Sequence, residues 1–428
     1  MLALKSQRVV LSNDVRPATI VIGEGVIQSI EPYNSDTEAV DYGSLAILPG
    51  VIDPHVHFNE PGRSHWEGWE SGTRAAIAGG VTTVVDMPLN CIPSTVDRES
   101  LQLKSSSTED KLYCDVGLWG GAVPGNAEKL GELLEAGVLG FKCFLSDPGT
   151  KEFSNLDQDE LREAMTKIAE LKSVLLLHAE WPSALLEPDP SIPPESYSAW
   201  LHTRPLTAER EAIQKVVELS RETGCRCHIV HLSSGELADL LQNTGISSET
   251  CAHYLAFNAQ EIGDGATHFK CAPPIRGKSH QESLWSALGS GHIQMVTSDH
   301  SPCPPDLKNP NFLASWGGIS GVQMLLPAVW TGASQRGYNL CSISHWLSEQ
   351  PAVLAGLDKQ KGRIAPGLCA DLVVFDPDKE FRCQTLQHRH AGSPYEDRTW
   401  KGTVEATYLR GQKVYQPGSP ALRRGRLI

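Results

Sequence analysis

Six side chains in this sequence have the chemistry of metal ligands, and each of them ends a short apolar run. His55 and His57 stand two residues apart in "GVIDPHVHF". Because alternate residues share one face of a strand, both imidazoles can point at one ion. The other four follow later runs of the same kind: Lys142 after "GVLGF", His178 after "SVLLL", His231 after "CHIV" and Asp299 after "IQMVTS". Imidazole nitrogens and carboxylate oxygens suit zinc and several neighbouring divalent metals.

Each of these residues also has an ordinary structural interpretation. A His-x-His pair can be two hydrogen-bonded core histidines, and a single histidine at a strand end is more often structural than a ligand. Asp299 can cap the turn-like segment "DHSPCPP", and Lys142 can extend its ammonium into solvent. The metal hypothesis therefore depends on whether one fold brings all six residues together.

The middle of the chain alternates strand-like and helix-like segments. From Gly50 onward eight apolar runs follow one another: "GVIDPHVHF", "VTTVVDMPL", "DVGLWGGAV", "GVLGFKCFL", "SVLLLHAE", "CRCHIVHLS", "SETCAHYLAF" and "HIQMVTSDHS". Most are separated by amphipathic stretches such as "LDQDELREAMTKIAELK", with acids early and lysine late, as the helix dipole favours. Eight such repeats predict an α/β fold with a closed (β/α)8 TIM-type barrel. An open doubly wound sheet is the alternative, although no glycine-rich dinucleotide fingerprint follows an early strand.

The two ends of the chain have a different texture. Short apolar runs separated by Gly, Asn and Asp, the pattern of β-hairpins, make up "RVVLSNDVRPATIVIGEGVIQSIEPY" and "TVEATYLRGQKVY". Because short strands need partners to bury an apolar face, we expect a small β-sandwich built from both termini. The predicted boundaries are 1–49 for the first part of the sandwich, 50–359 for the barrel and 360–428 for the second part.

The barrel hypothesis gathers the six ligand-type residues on one face. They occur at the ends of strands one, four, five, six and eight, and barrel enzymes do their chemistry at the carboxyl ends of the strands. Four histidines, one lysine and one aspartate on that face are hard to explain as separate structural residues. The sequence therefore predicts a metal-dependent active site.

Charge and composition exclude several classes of function. The formal net charge is −14, whereas nucleic-acid binding needs a basic face, so we expect no nucleic-acid partner. No apolar run approaches the roughly 20 residues that span a bilayer, and the N-terminus lacks the features of a secretory signal. Eleven scattered cysteines fit a reducing compartment. We expect a soluble intracellular protein without a membrane partner, in the cytoplasm, with peroxisome or mitochondrion as alternatives.

The chain resembles the cyclic amidohydrolases, which include dihydroorotase, hydantoinase or dihydropyrimidinase, and allantoinase, in "GVIDPHVHFNEPGR" and "GGVTTVVDMP". The resemblance covers the whole chain, including the return "GRIAPGLCADLVVFDP" near the C-terminus. It implies two divalent metal ions, with zinc the expected element. His55 and His57 would bind the more buried ion, and His178 and His231 the second. It also implies a homo-oligomer, expected to be a tetramer.

The resemblance further implies that Lys142, carboxylated on its amine, bridges the two metals. A carbamate turns a buried cation into an anion between two cations, and bridged divalent ions supply hydroxide near neutral pH. That hydroxide would attack the ring carbonyl of a cyclic amide, with Asp299 as both metal ligand and general acid/base. His253 and His300 are candidates for hydrogen-bonding partners of the ligand imidazoles rather than for ligands.

The segment after the first two histidines discriminates between substrates of this group. Dihydroorotases carry a carboxylate-gripping arginine two positions after the second histidine, where this chain has Asn59. The segments "NEPGRSHWEGWESG", "CAPPIR" and "SPYEDRTWKG" resemble those of allantoinases. This resemblance implies that the substrate is the small molecule (S)-allantoin, which is hydrolysed to allantoate in purine breakdown. Asn90, Ala272 and Gly317 are the expected substrate contacts, with His65 and Ala272 as departures from the family pattern.

Two other functions stay open at this point. A hydantoinase or dihydropyrimidinase would act on a different neutral ring with the same metal site. A non-enzymatic scaffold would keep the barrel without its metals, but all six ligand positions are filled in this chain. The sequence therefore favours an enzyme, and rates on several cyclic amides would separate the two enzymatic readings.

Overall fold

The computed structural model describes residues 1–428 and contains seventeen strands and eleven α-helices. The strands are β1 (Leu2–Val10), β2 (Val15–Gly23), β3 (Val26–Pro32), β4 (Val40–Asp41), β5 (Ala46–Pro49), β6 (Val51–Val56), β7 (Val81–Asp86), β8 (Asp115–Leu118), β9 (Gly120–Gly121), β10 (Phe141–Phe144), β11 (Val174–His178), β12 (Arg226–Ile229), β13 (Ser247–Cys251), β14 (Met295–Thr297), β15 (Leu372–Arg382), β16 (Thr399–Leu409) and β17 (Gln412–Tyr415). The helices are α1 (Trp69–Ala78), α2 (Arg98–Ser106), α3 (Leu130–Glu135), α4 (Gln158–Glu170), α5 (Tyr197–Thr203), α6 (Leu206–Thr223), α7 (Ala252–Ala256), α8 (Lys278–Gly289), α9 (Leu325–Gln335), α10 (Leu340–Ser344) and α11 (Gln350–Leu354).

Strands from both termini form one eight-stranded sheet in the order β17-β16-β15-β5-β1-β2-β3, with β4 paired to β1. The two ends of the chain meet where β5 runs antiparallel to β15. Valine and isoleucine dominate these strands because β-branched side chains pack well on a pleated surface. Thirteen buried apolar residues, among them Ile20 and Val374, form a core of their own here. The two β-rich ends therefore belong to one unit, and its folding into two sandwich layers stays a prediction.

The eight apolar runs of the middle segment all form parallel strands. The first three give the sheet β6-β7-β8, and the sheet β14-β13-β12-β11-β10-β9 holds the others. The third run is interrupted at Trp119, which separates β8 from β9, and the seventh ends as a strand at Cys251 and continues as α7. β6, β7 and β8 are buried at every residue, as expected for parallel strands covered on both faces. The predicted α/β fold with parallel strands is confirmed.

The first and last parallel strands, β6 and β14, lie in different sheets but are joined by a contact just beyond their ends. An isolated parallel bridge joins Val56, the last residue of β6, to His300, which follows β14. The backbone N–H of His57 donates to the carbonyl of His300 at 2.8 Å. A closed barrel requires this kind of contact between its first and last strands.

The helix predicted in "LDQDELREAMTKIAELK" is present as α4. Asp157 and Glu160 form a capping box at the start of α4, in which each side chain accepts from the backbone N–H of the other. Leu161, Met165 and Ile168 recur at helical spacing and are buried. α4 thus leads the chain back to β11, which ends at a ligand-type histidine. No helix in the structure combines the length and apolar character needed to cross a membrane.

Candidate active site

Five of the six ligand-type residues line one cavity of about 440 Å³ at the carboxyl ends of the parallel strands: His55, His57, His178, His231 and Asp299. The sixth, Lys142, is fully buried in β10. Its Nζ lies 4.9 Å from the ring centre of Phe144, which also lines the cavity. We call these six residues together the floor of the cavity. The fold therefore brings together the residues that the sequence singled out.

The backbone turns sharply at two of these positions. His231 and Asp299 each lie two residues beyond the end of their strand and adopt φ values of 42° and 45°. Residues other than glycine seldom occupy this left-handed region, and those that do cluster at functional sites. The turn carries both side chains over the strand ends and into the cavity.

His55, His57 and Asp299 form the tightest group on the floor. Oδ1 of Asp299 is 3.2 Å from Nε2 of His55 and 3.4 Å from Nε2 of His57. The potential ligand atoms of the three residues all lie within 4.8 Å of one another. Burial raises the pKa of Asp299, but His55 and His57 outweigh that effect and lower it to about 2. Asp299 is therefore a carboxylate at neutral pH.

A buried carboxylate orients His55. Nδ1 of His55 donates to Oε1 of Glu249, and Oε2 of Glu249 accepts from Nε2 of His228 at 3.1 Å. Burial raises the pKa of Glu249, but the two histidines outweigh it and lower the pKa far below its usual range. Because Nδ1 of His55 is bonded to Glu249, Nε2 is the ring nitrogen left to bind a cation. Nε2 faces Oδ1 of Asp299 at 3.2 Å, and a bound cation would interact with both atoms.

His178 and His231 form a second group, with ring centres 4.6 Å apart. Nε2 of His178 donates to Oε2 of Glu180 at 2.7 Å, which leaves Nδ1 as an acceptor. Nδ1 of His231 is buried and has no hydrogen-bond partner. Burial lowers the pKa of both histidines and so favours the neutral imidazole that binds metals.

Lys142 is buried without a partner. Its Nζ is inaccessible to solvent and bonds to no acceptor in the protein. Burial lowers its pKa to about 8. Because an unpaired ammonium is costly inside a protein, this amine needs a counter-charge or a chemical modification. The unpartnered Nζ and the unpartnered nitrogen of His231 together fit a bridged metal pair.

The imidazoles of His253 and His300 do not hydrogen-bond to the imidazole of any histidine of the floor. Neither ring nitrogen of His253 has a partner, and Nδ1 of His300 accepts the backbone N–H of Gly321 at 3.0 Å. Cys251 and His253 do place potential ligand atoms within 4.8 Å of those of Asp299. The expected role of the two histidines as partners of ligand imidazoles is thus filled by other residues.

The residues that fill this role are Glu249 and Glu180, and the sequence did not point to either. A signal for Glu180 exists in "HAE", because a carboxylate only two residues after His178 is within reach of its imidazole. No local signal exists for Glu249, which is 194 residues from His55 in the chain.

Comparison with known proteins identifies the family. The sequence profile described as "Amidohydrolase family" matches residues 46–414 of the chain. The chain belongs to the amidohydrolase family. The allantoinase of Streptomyces avermitilis is 42% identical over 438 residues, which covers 100% of this chain and 98% of the relative. The allantoinase of Saccharomyces cerevisiae is 42% identical over 442 residues, covering 96% of this chain and 95% of the relative.

A solved structure shows the same fold as this amidohydrolase. The L-hydantoinase (dihydropyrimidinase) from Arthrobacter aurescens superimposes with a TM-score of 0.93 at 26% sequence identity. The match covers 100% of this chain and 99% of the hydantoinase. The α/β architecture with parallel sheets is therefore that of TIM-barrel-type amidohydrolases.

Loops form the wall of the cavity in this amidohydrolase. Asn90, Ala272 and Gly317, the expected substrate contacts, all line it. The side-chain amide of Asn90 lies 3.4 Å from Nδ1 of His57. Asn59 does not line the cavity, because it is buried and donates to a backbone carbonyl at 3.3 Å. The wall also contains residues to which the sequence did not point: Trp200, Arg204, Lys270 and Trp316.

Proposed function

We propose that this amidohydrolase hydrolyses the cyclic amide of (S)-allantoin to allantoate, a step of purine breakdown. The observation that carries the proposal is the 42% identity, over the whole chain, to the Streptomyces avermitilis protein named allantoinase. A hydantoinase or dihydropyrimidinase activity is the second candidate, because the L-hydantoinase structure superimposes with a TM-score of 0.93. Its lower identity of 26% favours allantoin over that alternative.

The proposal includes two divalent metal ions, with zinc the preferred element. Their ligands would be the six residues of the sequence prediction: His55, His57, Lys142, His178, His231 and Asp299. Two observations support this set. Nε2 of His55 faces Oδ1 of Asp299, and Nζ of Lys142 and Nδ1 of His231 are buried without a hydrogen-bond partner. When bound, such ions lower the pKa of a water molecule towards neutrality and polarise a carbonyl oxygen.

Lys142 would act as a carbamate. In its neutral form Nζ bonds to the carbon of carbon dioxide and loses a proton, which yields an anion with two oxygens. This anion would offer oxygen ligands to the ions and would replace the buried, unpartnered amine of Lys142. The burial of Nζ supports the modification, because it disfavours the charged amine that cannot react.

Asp299 would move the proton. Its carboxylate is ionised and lines the cavity, so it can accept a proton from the attacking water. It then returns that proton to the departing ring nitrogen, which is otherwise a poor leaving group. Glu249 accepts from Nδ1 of His55, and Glu180 accepts from Nε2 of His178. These bonds would fix the tautomer of each ring so that its other nitrogen can bind a metal ion.

The carboxylate-binding arginine of dihydroorotases has no counterpart in the cavity. The position that carries an arginine in dihydroorotases is Asn59, which does not line the cavity and donates to the carbonyl of Pro302. Arg204, the arginine that does line the cavity, is paired with the buried carboxylate of Glu180. Neither residue offers a free guanidinium for bidentate binding of a substrate carboxylate.

We also propose that the parallel strands close into a barrel and that the terminal sheet folds into a sandwich. The bridge between Val56 and His300 supports closure of the eight parallel strands into a barrel. A second bridge, between Val26 of β3 and Cys369 ahead of β15, supports folding of the terminal sheet into a sandwich. The boundaries 1–49, 50–359 and 360–428 and a homo-tetramer complete the proposal. Multi-angle light scattering of the purified protein tests the tetramer.

Substrate rates and a metal analysis test the function. We expect kcat/KM for allantoin to exceed the values for hydantoin, dihydrouracil and dihydroorotate by at least about 100-fold. Mass spectrometry of the active enzyme should find two metal ions per chain, and fewer than about one would contradict the dinuclear site. Faster hydrolysis of hydantoin or dihydrouracil than of allantoin would establish the second candidate instead.

A further inference from the structure

Lys270 is a buried cation on the wall of the cavity with no carboxylate partner. The residue is only 4% exposed, yet it lines the cavity. Its Nζ lies 4.2 Å from the ring centre of Trp200 and donates to the carbonyl of Ser315. The nearby charges that act on it, Lys308 and Arg204, are both positive. The ammonium is therefore stabilised by a π face and one carbonyl, without a counter-ion.

The hydrogen-bonding capacity of Lys270 is not used up within the protein. A lysine ammonium has three donors, and the carbonyl of Ser315 is the one protein acceptor bonded to Nζ. Lys308 differs, because its Nζ donates to three carbonyls, those of Thr267, Trp316 and Gly318. A donor left over on a cavity wall is available to a ligand.

We propose that Lys270 is a specificity-determining residue that donates a hydrogen bond to the carbonyl oxygen of the substrate's open-chain urea group. The inference rests on the proposed function and deepens it. The ring amide of allantoin must reach the floor to be hydrolysed, so the urea group extends from the ring towards the wall. The carbonyl oxygen of a urea is a neutral acceptor that suits this single charged donor, which the indole ring of Trp200 holds in place.

The competing explanation is that Lys270 only positions a loop. Its Nζ holds the carbonyl of Ser315, and its own carbonyl accepts from the backbone N–H of Gly318 at 2.7 Å. Lys308 provides a matched control, because it holds the same loop without lining the cavity. Its Nζ donates to the carbonyls of Trp316 at 3.0 Å and of Gly318 at 2.7 Å.

The test compares Lys270→Met with Lys308→Met, using allantoin as substrate and hydantoin, which lacks the urea group, as competitive inhibitor. Loss of a charged hydrogen bond should raise KM for allantoin about 10- to 100-fold in Lys270→Met. We expect kcat to stay within about threefold and the inhibition constant of hydantoin to stay unchanged, because the reacting ring is not affected. Lys308→Met should change KM much less.

Three results would overturn the inference: an equal rise in KM in Lys308→Met, a parallel rise in the hydantoin inhibition constant in Lys270→Met, or an unchanged KM in Lys270→Met. If Lys270→Met does not fold, Lys270→Gln is judged by the same criteria. A wild-type enzyme that fails to hydrolyse allantoin refutes the proposed function, whereas a failure confined to the variants refutes this inference alone.

Discussion

The floor and the wall of the cavity are constructed differently. The floor consists of side chains at the ends of parallel strands, and buried carboxylates such as Glu249 hold its imidazoles in place. The wall consists of helix α5 around Trp200 and of loops around Lys270 and Ser315, in which lysine side chains donate to backbone carbonyls. Rigid elements position reacting groups more precisely than loops do. We infer that the floor determines the reaction and that the wall determines which ring enters.

The largest effect should follow from changing Lys142. Lys142→Ala removes the only proposed bridge, so the enzyme should lose its metal pair and all measurable turnover. Short carboxylic acids such as acetate or propionate should restore part of both by occupying the vacated space. Turnover and metal content are measured with and without the acid. An unmodified amine at Nζ beside two well-occupied metals in a crystal would refute the carbamate.

Asp299 should separate chemistry from metal binding. Asp299→Asn keeps an oxygen ligand but cannot carry the proton, so kcat should fall about 10²- to 10⁴-fold while much of the metal remains. His55→Ala is the contrast, because it should lose metal and activity together. The measurements are steady-state rates and metal content of the same preparations. Near wild-type turnover in Asp299→Asn would show that the acid/base assignment is wrong.

Glu249 should affect the floor without touching the reacting atoms. Glu249→Gln places an amide where the carboxylate accepts from His55, so zinc affinity should fall about 10- to 100-fold. Competition with a chromophoric chelator measures this affinity independently of turnover. Glu209→Gln is a control for the loss of a buried carboxylate, because Glu209 pairs with Arg276 instead. Equal losses of affinity in the two variants would contradict a specific role for Glu249.

The smallest effect concerns pH at the wall. Burial, followed by the positive charges of Lys308 and Arg204, lowers the pKa of Lys270 to about 7. The ammonium is present below that pH and is lost above it, so KM for allantoin should rise up to about tenfold between about pH 6 and about pH 8. Two other charged side chains, Arg204 and the exposed Asp147, also line the cavity beside Lys270.

The variant Lys270→Met isolates this pH effect. It should remove the rise in KM, whereas Lys308→Met should keep the rise and shift it to higher pH, because the positive charge of Lys308 lowers the pKa of Lys270. Comparing the two variants with the wild type cancels the titration of groups on the floor. A wild-type KM that is constant across this pH range would show that the ammonium of Lys270 does not bind the substrate. A rise in KM that persists in Lys270→Met would show the same.

The sequence by itself determined the parallel strands and the six residues of the floor. These features depend on spacing within short segments: His55 and His57 share a strand face, and apolar runs recur between amphipathic helices. The terminal hairpins were also predictable, because turn residues separate short apolar runs there. The sequence predicted the ends of these elements less well, since the seventh run continues as helix α7 from Ala252.

Tertiary structure alone decided the partners of the floor and the composition of the wall. Glu249 reaches His55 across 194 residues of chain, and Nε1 of Trp200 donates to the carbonyl of Cys271 across 71. Such pairings leave no periodic trace in the sequence, because either partner alone is an ordinary buried or surface residue. Lys270 shows the same limit. Its lack of a carboxylate partner is a property of everything packed around it, and no local pattern records that.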